Sequence, residues 1–73
     1  MKNKKLLNRI EKYCASTEFP TAVYFTENLV NYDDNYYGYK YFLCYHNTHN
    51  VFKAFKTQSE IEEFLNEEEI REL

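Results

Sequence analysis

The chain has 73 residues, 44% hydrophobic and 19% aromatic, with one Gly, one Pro and a net charge of −3. That composition predicts one small domain over 1–73 rather than a disordered tail, and a chain of this size buries only about 60% of its unfolded surface, which leaves no room for a deep active site. Two cysteines, Cys14 and Cys44, are too few for a disulfide scaffold and read as reduced thiols in a cytoplasmic protein.

The opening Met1-Lys2-Asn3-Lys4-Lys5 looks like the start of a signal peptide. Only Leu6 and Leu7 follow before Asn8, Arg9 and Glu11 interrupt, so neither a secretory segment nor a membrane span is expected. Residues 3–15 instead predict an amphipathic helix, with Leu6, Leu7, Ile10, Tyr13 and Cys14 on one stripe. The helix ends in the Ala15–Glu18 stretch, and Pro20 biases Phe19 toward an extended conformation.

Thr21 to Thr26 is β-branched and aromatic and predicts a first strand, with Val23 and Phe25 on one side and Ala22, Tyr24 and Thr26 on the other. Glu27 to Asn35, rich in Asn and Asp, reads as connection. Tyr36 to Tyr45 holds six of the fourteen aromatic residues and predicts the central strand. Its alternate side chains divide into Tyr37, Tyr39, Tyr41, Leu43 and Tyr45 against Tyr36, Gly38, Lys40, Phe42, Cys44 and His46.

His46 to Asn50 is turn-like, and Val51 to Lys56 resumes strand character, giving a hairpin with a loop of about four or five residues. The two loop lengths put opposite faces of the third strand against the tyrosines, so the register stays open. Thr57-x-x-Glu60 and Ser59-x-x-Glu62 both have the capping-box spacing, and either starts a second helix. Ile61, Phe64 and Leu65 form its stripe. Ile70 and Leu73 are rotated away from that stripe, so the last turns either bend back or offer an apolar contact elsewhere.

The resulting α-β-β-β-α order predicts an α+β fold, a three-stranded antiparallel sheet with two helices packed on one face and the other face in water. The covered face is expected to hold Val23, Phe25, Phe42, Cys44, Phe52 and Ala54 against Leu6, Ile10, Tyr13, Ile61, Phe64 and Leu65. Tyr24, Tyr37, Tyr39, Tyr41 and Tyr45 are expected to be exposed in whole or part.

Cys44-x-His46-x-x-His49 with Cys14 contains zinc-ligand types, but its spacing fits no standard zinc module, and turn histidines with a core cysteine account for it. Cysteine–histidine catalysis would need a cleft and oxyanion donors that nothing supplies, and one glycine cannot build a phosphate loop. No metal, cofactor or enzymatic activity is expected. Residues 1–16 carry five Lys/Arg and one Glu, whereas 59–73 carry seven Glu and one Arg; in both helices the charge opposes the helix dipole.

Charge placed against helix preference and tyrosines suited to an interface predict a non-enzymatic protein-binding domain. Its expected contact surface is Tyr37, Tyr39, Tyr41 and Tyr45 with Asp33, Asp34, Glu67, Glu68 and Glu69, facing the basic surface of a nucleic-acid-binding protein. Two other readings stay open: a nucleic-acid binder stacking bases on the same tyrosines beside Lys40 and Lys53, and a homodimer joining the basic first helix of one chain to the acidic last helix of another. In size, acidity and Asn/Lys/Glu/Tyr-rich makeup the chain resembles the small accessory proteins of phages and mobile elements, among them anti-CRISPR inhibitors. That resemblance is one of composition and assigns no residue roles.

Overall fold

A computed structural model describes residues 1–27 and 36–71. The elements follow the order helix α1 (Lys4–Ser16), strands β1 (Val23–Glu27), β2 (Tyr41–Tyr45) and β3 (Val51–Phe55), and helix α2 (Gln58–Arg71). The strands form one antiparallel sheet in the order β1-β2-β3, so the α+β arrangement expected from the sequence is the one observed. The 28–35 connection and Leu73 lie outside the described residues.

Local chemistry sets the helix ends. Asn3 caps α1, its Oδ1 accepting the Leu6 N–H at 3.1 Å, which satisfies one of the four N–H groups a helix start leaves over. At the other end Thr17 donates its N–H and its hydroxyl to the Cys14 carbonyl at 3.1 and 2.6 Å, while its Oγ1 accepts the Val23 N–H at 3.0 Å. One threonine therefore both stops α1 and sets the start of β1. The Phe19–Pro20 peptide between them is cis. For α2 the Thr57-x-x-Glu60 alternative holds: Thr57 Oγ1 accepts from Glu60 N at 3.3 Å, and the Glu60 carboxylate accepts from Lys56 N at 2.9 Å.

The two helices run in the same direction, with Asn3 beside Gln58 at their starts and Arg9 reaching Asn66 and Glu69 farther along. Leu6 and Ile10 from α1 and Ile61 and Leu65 from α2 share one buried cluster with Leu43 and Phe55, each 1–2% exposed. Burying a side chain of this kind contributes roughly 1.5–3 kcal/mol, so these six positions hold the helices to the sheet.

The covered face differs from expectation on the central strand. Val23↔Tyr45, Phe25↔Leu43 and Glu27↔Tyr41 are paired positions, so the set Tyr41, Leu43, Tyr45 shares a face with Val23 and Phe25, and the helices cover that face. Phe25 and Tyr41 stack at 6.4 Å between ring centres and pack against the core. Phe42, Cys44 and Ala54 lie on the opposite face. That face is not in water, since Phe42 is 1% and Cys44 0% exposed, with the Tyr36 ring edge-on to Phe42 at 6.0 Å and Tyr24 paired across from Cys44.

Two further departures have local causes. The strand begins at Tyr41, because Gly38 at φ +87° occupies a turn closed by Tyr39 N–H to Tyr36 O at 3.1 Å, and a positive φ at the third turn position favours glycine. A Cβ built there would meet nothing within 4 Å, so backbone conformation alone makes the demand. On the other side of β2, the five-residue loop 46–50, with His49 at φ 62°, is followed by a bulge. Leu43 pairs with Lys53 and Cys44 with Val51, which leaves Phe52 without an opposite residue. Phe52 and Lys53 both reach the Phe64 ring on the helix side as a result.

Burial of β2 on both faces has a measurable consequence. In urea unfolding, Phe42→Ala is expected to cost about 3–5 kcal/mol and Leu43→Ala about 2–5 kcal/mol, while Tyr37→Ala, at a position 90% exposed, should stay within about 0.5 kcal/mol of the parent. A mild Phe42→Ala variant would mean that the second sheet face is not a core.

Candidate protein-binding surface

The expected contact residues do not form one patch. Tyr37 projects from the turn at 90% exposure. Tyr41 and Tyr45 are half-buried on the helix-covered side, Tyr41 against Phe25 and Tyr45 against Phe52 at 5.4 Å. The tyrosines therefore make no continuous stacking platform on an open sheet face. Asp33 and Asp34 lie outside the described residues.

The consecutive glutamates of α2 separate because successive helical residues turn by about 100°. Glu68 and Glu69 stand on the α1 side, beside Arg9, Lys12, Tyr13 and Ser16. Arg9 donates to both Glu69 oxygens at 3.2 Å and to Asn66 Oδ1 at 2.9 Å. That pair is solvent-accessible, so its worth is about 0–1 kcal/mol, yet it places basic α1 against acidic α2 within one chain.

Glu67 stands on the other flank. With Glu60 and Glu63 it borders a cleft of about 290 Å³ between α2 and the β3 edge, whose floor and walls include Tyr39, Lys53, Phe55 and Phe64. Of the expected residues, the structure brings together Tyr39 and Glu67. Glu60, Glu63, Phe64 and Lys53 complete the lining, and Lys56 lies over the Tyr39 ring; of these the sequence points to Lys53 only as a neighbour of the tyrosines, to Glu60 as a cap and to Phe64 as core, and gives Glu63 and Lys56 no role. A joint signal was present as the i, i+3, i+4, i+7 spacing of Glu60, Glu63, Phe64 and Glu67, which puts all four on one helix flank.

Two rings that line the cleft already carry cations, one from Lys53 of the lining and one from Lys56 outside it. Lys56 Nζ lies 5.0 Å from the Tyr39 ring centre and Lys53 Nζ 5.9 Å from that of Phe64, within the reach of cation–π attraction. Phe64 is held by Tyr13 edge-on at 5.3 Å, by Phe55 at 5.6 Å and by Phe52 at 6.4 Å.

The cysteine and histidine constellation takes a different form from a metal centre. Tyr24 OH meets His49 Nδ1 at 3.1 Å, the Tyr24 ring lies 5.0 Å from that of His46, and Tyr24 also hydrogen-bonds the Cys44 thiol. These residues converge on a phenol, and among the described residues no group of three or more His, Cys, Asp or Glu could hold a metal ion. Cys14 is half-buried beside Tyr24 and His46. Burial, and to a lesser degree the Glu11 carboxylate, pushes the Cys14 thiol above its ordinary value of 9.0. Burial pushes Cys44 up as well, the Tyr24 hydrogen bond pulling the other way.

No protein-family model, no curated protein and no solved structure matches this chain. No helix among the described residues is long and apolar enough to cross a membrane.

Because both thiols are raised, their neutral forms dominate at pH 7–8, where a low thiolate fraction makes a poor nucleophile. Native protein should react with a disulfide reagent several-fold more slowly than denatured protein, Cys44 waiting on local opening. Folded-state pKa values above 9.0 also mean a stability contribution that is complete below the unfolded value and lost as pH climbs past it. Melting temperature should therefore fall above about pH 9, and Cys14→Ser with Cys44→Ala should flatten that limb.

Proposed function

We propose that this chain is a small non-enzymatic binding domain that occupies a basic surface on another protein, of the kind used to hold nucleic-acid phosphates. The observation that carries the reading is the solvent side of α2, where Glu60, Glu62, Glu63 and Glu67 are exposed, with Glu69, also exposed, turned toward Arg9 of α1. Glu67 and Glu69 stand toward the helix C-terminus, where carboxylates are disfavoured by the dipole. Local helix stability accounts for neither; Arg9 offsets Glu69 within the chain, and for Glu67 the reading is attraction to a positive partner, through on-rate and through rejection of acidic surfaces.

Exposed aromatic groups elsewhere on the surface supply area that charge alone does not. Tyr37 at 90% and Phe52 at 37% exposure are large side chains in contact with solvent, and rings of this kind are enriched at the energetic centres of interfaces. A protein that covers a phosphate-binding surface competes with nucleic acid by mass action and needs no chemistry of its own. An anti-defence inhibitor of the phage or mobile-element type, which the composition resembles, is the specific form this reading takes.

The test is capture from lysate by the tagged chain, with low-salt and high-salt washes, followed by fluorescence anisotropy of a labelled oligonucleotide on the captured protein. The expected result is a basic nucleic-acid-binding protein that is retained at low salt and releases its oligonucleotide as the chain is added. Recovery of nucleic acid with no protein partner would overturn the proposal.

A further inference from the structure

We infer that the cleft between α2 and the β3 edge is the seat for an arginine side chain of the partner protein; the inference rests on the binding reading above and names where that contact is made. Three features meet there. Glu60, Glu63 and Glu67 line one side, the Tyr39 and Phe64 rings provide aromatic surface, and the volume is about 290 Å³. Two ammonium groups of the chain itself, Lys56 and Lys53, lie over those rings at 5.0 and 5.9 Å. Lysines on long flexible stems settling over these rings show what class of group the cleft attracts.

Arginine suits the remaining geometry better than lysine does. Its planar guanidinium stacks on a ring while donating two parallel hydrogen bonds to a carboxylate, whereas an ammonium is a compact, strongly hydrated charge. Glu63 and Glu67 stand four residues apart on one flank, so their carboxylates are neighbours. Glu60 is already engaged, accepting the Lys56 N–H at 2.9 Å, and Glu69 holds Arg9 on the far side of the helix. Strand addition at β3 is a poorer use of this edge, because the bulge at Phe52 and the lysine at 53 are features that blunt edge pairing.

The resident lysines compete with the incoming guanidinium. Three glutamates against two lysines leave a single net negative charge at the cleft, so removing the lysines strengthens the attraction. This sign separates the cleft from a general acidic surface, on which two neutralised lysines placed elsewhere would serve as well.

The probe is a hexa-arginine peptide titrated into ¹⁵N-labelled full-length chain at low salt, with hexa-lysine as comparison. Expected are amide shifts concentrated at Tyr39, 53–56 and 60–67, and weaker binding of hexa-lysine. Glu63→Gln with Glu67→Gln should lose about tenfold in affinity, and Lys53→Gln with Lys56→Gln should gain about three- to tenfold. The charge-matched control, Glu62→Gln with Glu68→Gln, should change it far less. An equal loss in the control, shifts centred elsewhere, or shifts at these residues that depend on chain concentration alone would overturn the inference, the last assigning the cleft to a second copy. If hexa-arginine does not bind while a basic protein is still captured from lysate, the cleft is wrong and the binding reading stands. If neither binds, both fail.

Discussion

The structure depends on the double burial of a five-residue central strand. Phe42, Leu43 and Cys44 are consecutive and all buried, which is the pattern of a strand covered on both faces rather than of one with a wet side. Leu43 is where both helices meet the sheet, in one cluster with Leu6, Ile10, Ile61 and Leu65. A sheet this small cannot offer separate cores to two helices, so they lie side by side over the same few residues. Their common direction follows from α1 entering β1 through Thr17 and α2 leaving β3 through Thr57, and it brings the basic and acidic helices into register at Arg9 and Glu69.

Element types and most boundaries were legible because they rest on local chemistry. The apolar spacing of α1, the Thr57-x-x-Glu60 cap and the β-branched and aromatic runs each act within a few residues. Strand faces were not, and the reason lies in tyrosine. Treating Tyr41 and Tyr45 as solvent-facing gives weight to the hydroxyl, yet a half-buried tyrosine buries its ring and leaves the tip wet. Leu43 shares their face and is buried, and that residue carried the correct face within the same alternating set. The bulge at Phe52 compounded the difficulty, since one extra residue turns the side chains beyond it to the other face, and nothing in Val51-Phe52-Lys53 marks which residue is extra.

For the candidate surface, the acidic helix was legible and its division was not drawn out, although helix geometry contains it. Glu67, Glu68 and Glu69 cannot share a flank at about 100° per residue. Glu67 joins Glu60 and Glu63 over the cleft, and Glu69 turns to Arg9. Tyr39 joined this group through the Gly38 turn and the Lys40 N–H to Phe55 O bond at 3.0 Å, a contact between positions fifteen residues apart that no local pattern encodes.

Phe64 links the two halves of the molecule's physics. Its ring meets Tyr13 from α1 and Phe52 and Phe55 from β3, so it is part of the contact that holds α2 on the sheet. The same ring lines the cleft and lies under the Lys53 ammonium. Its orientation is thus set by the fold before any ligand arrives, and a surface fixed in advance loses less entropy on binding than one that must be ordered. The carboxylates have the opposite character. Glu63 and Glu67 are exposed and free to adjust, which suits long-range attraction followed by short-range pairing. A rigid aromatic floor under mobile charges divides the work between geometry and electrostatics, and it explains why replacing Phe64 would disturb folding and recognition together whereas replacing the glutamates separates them.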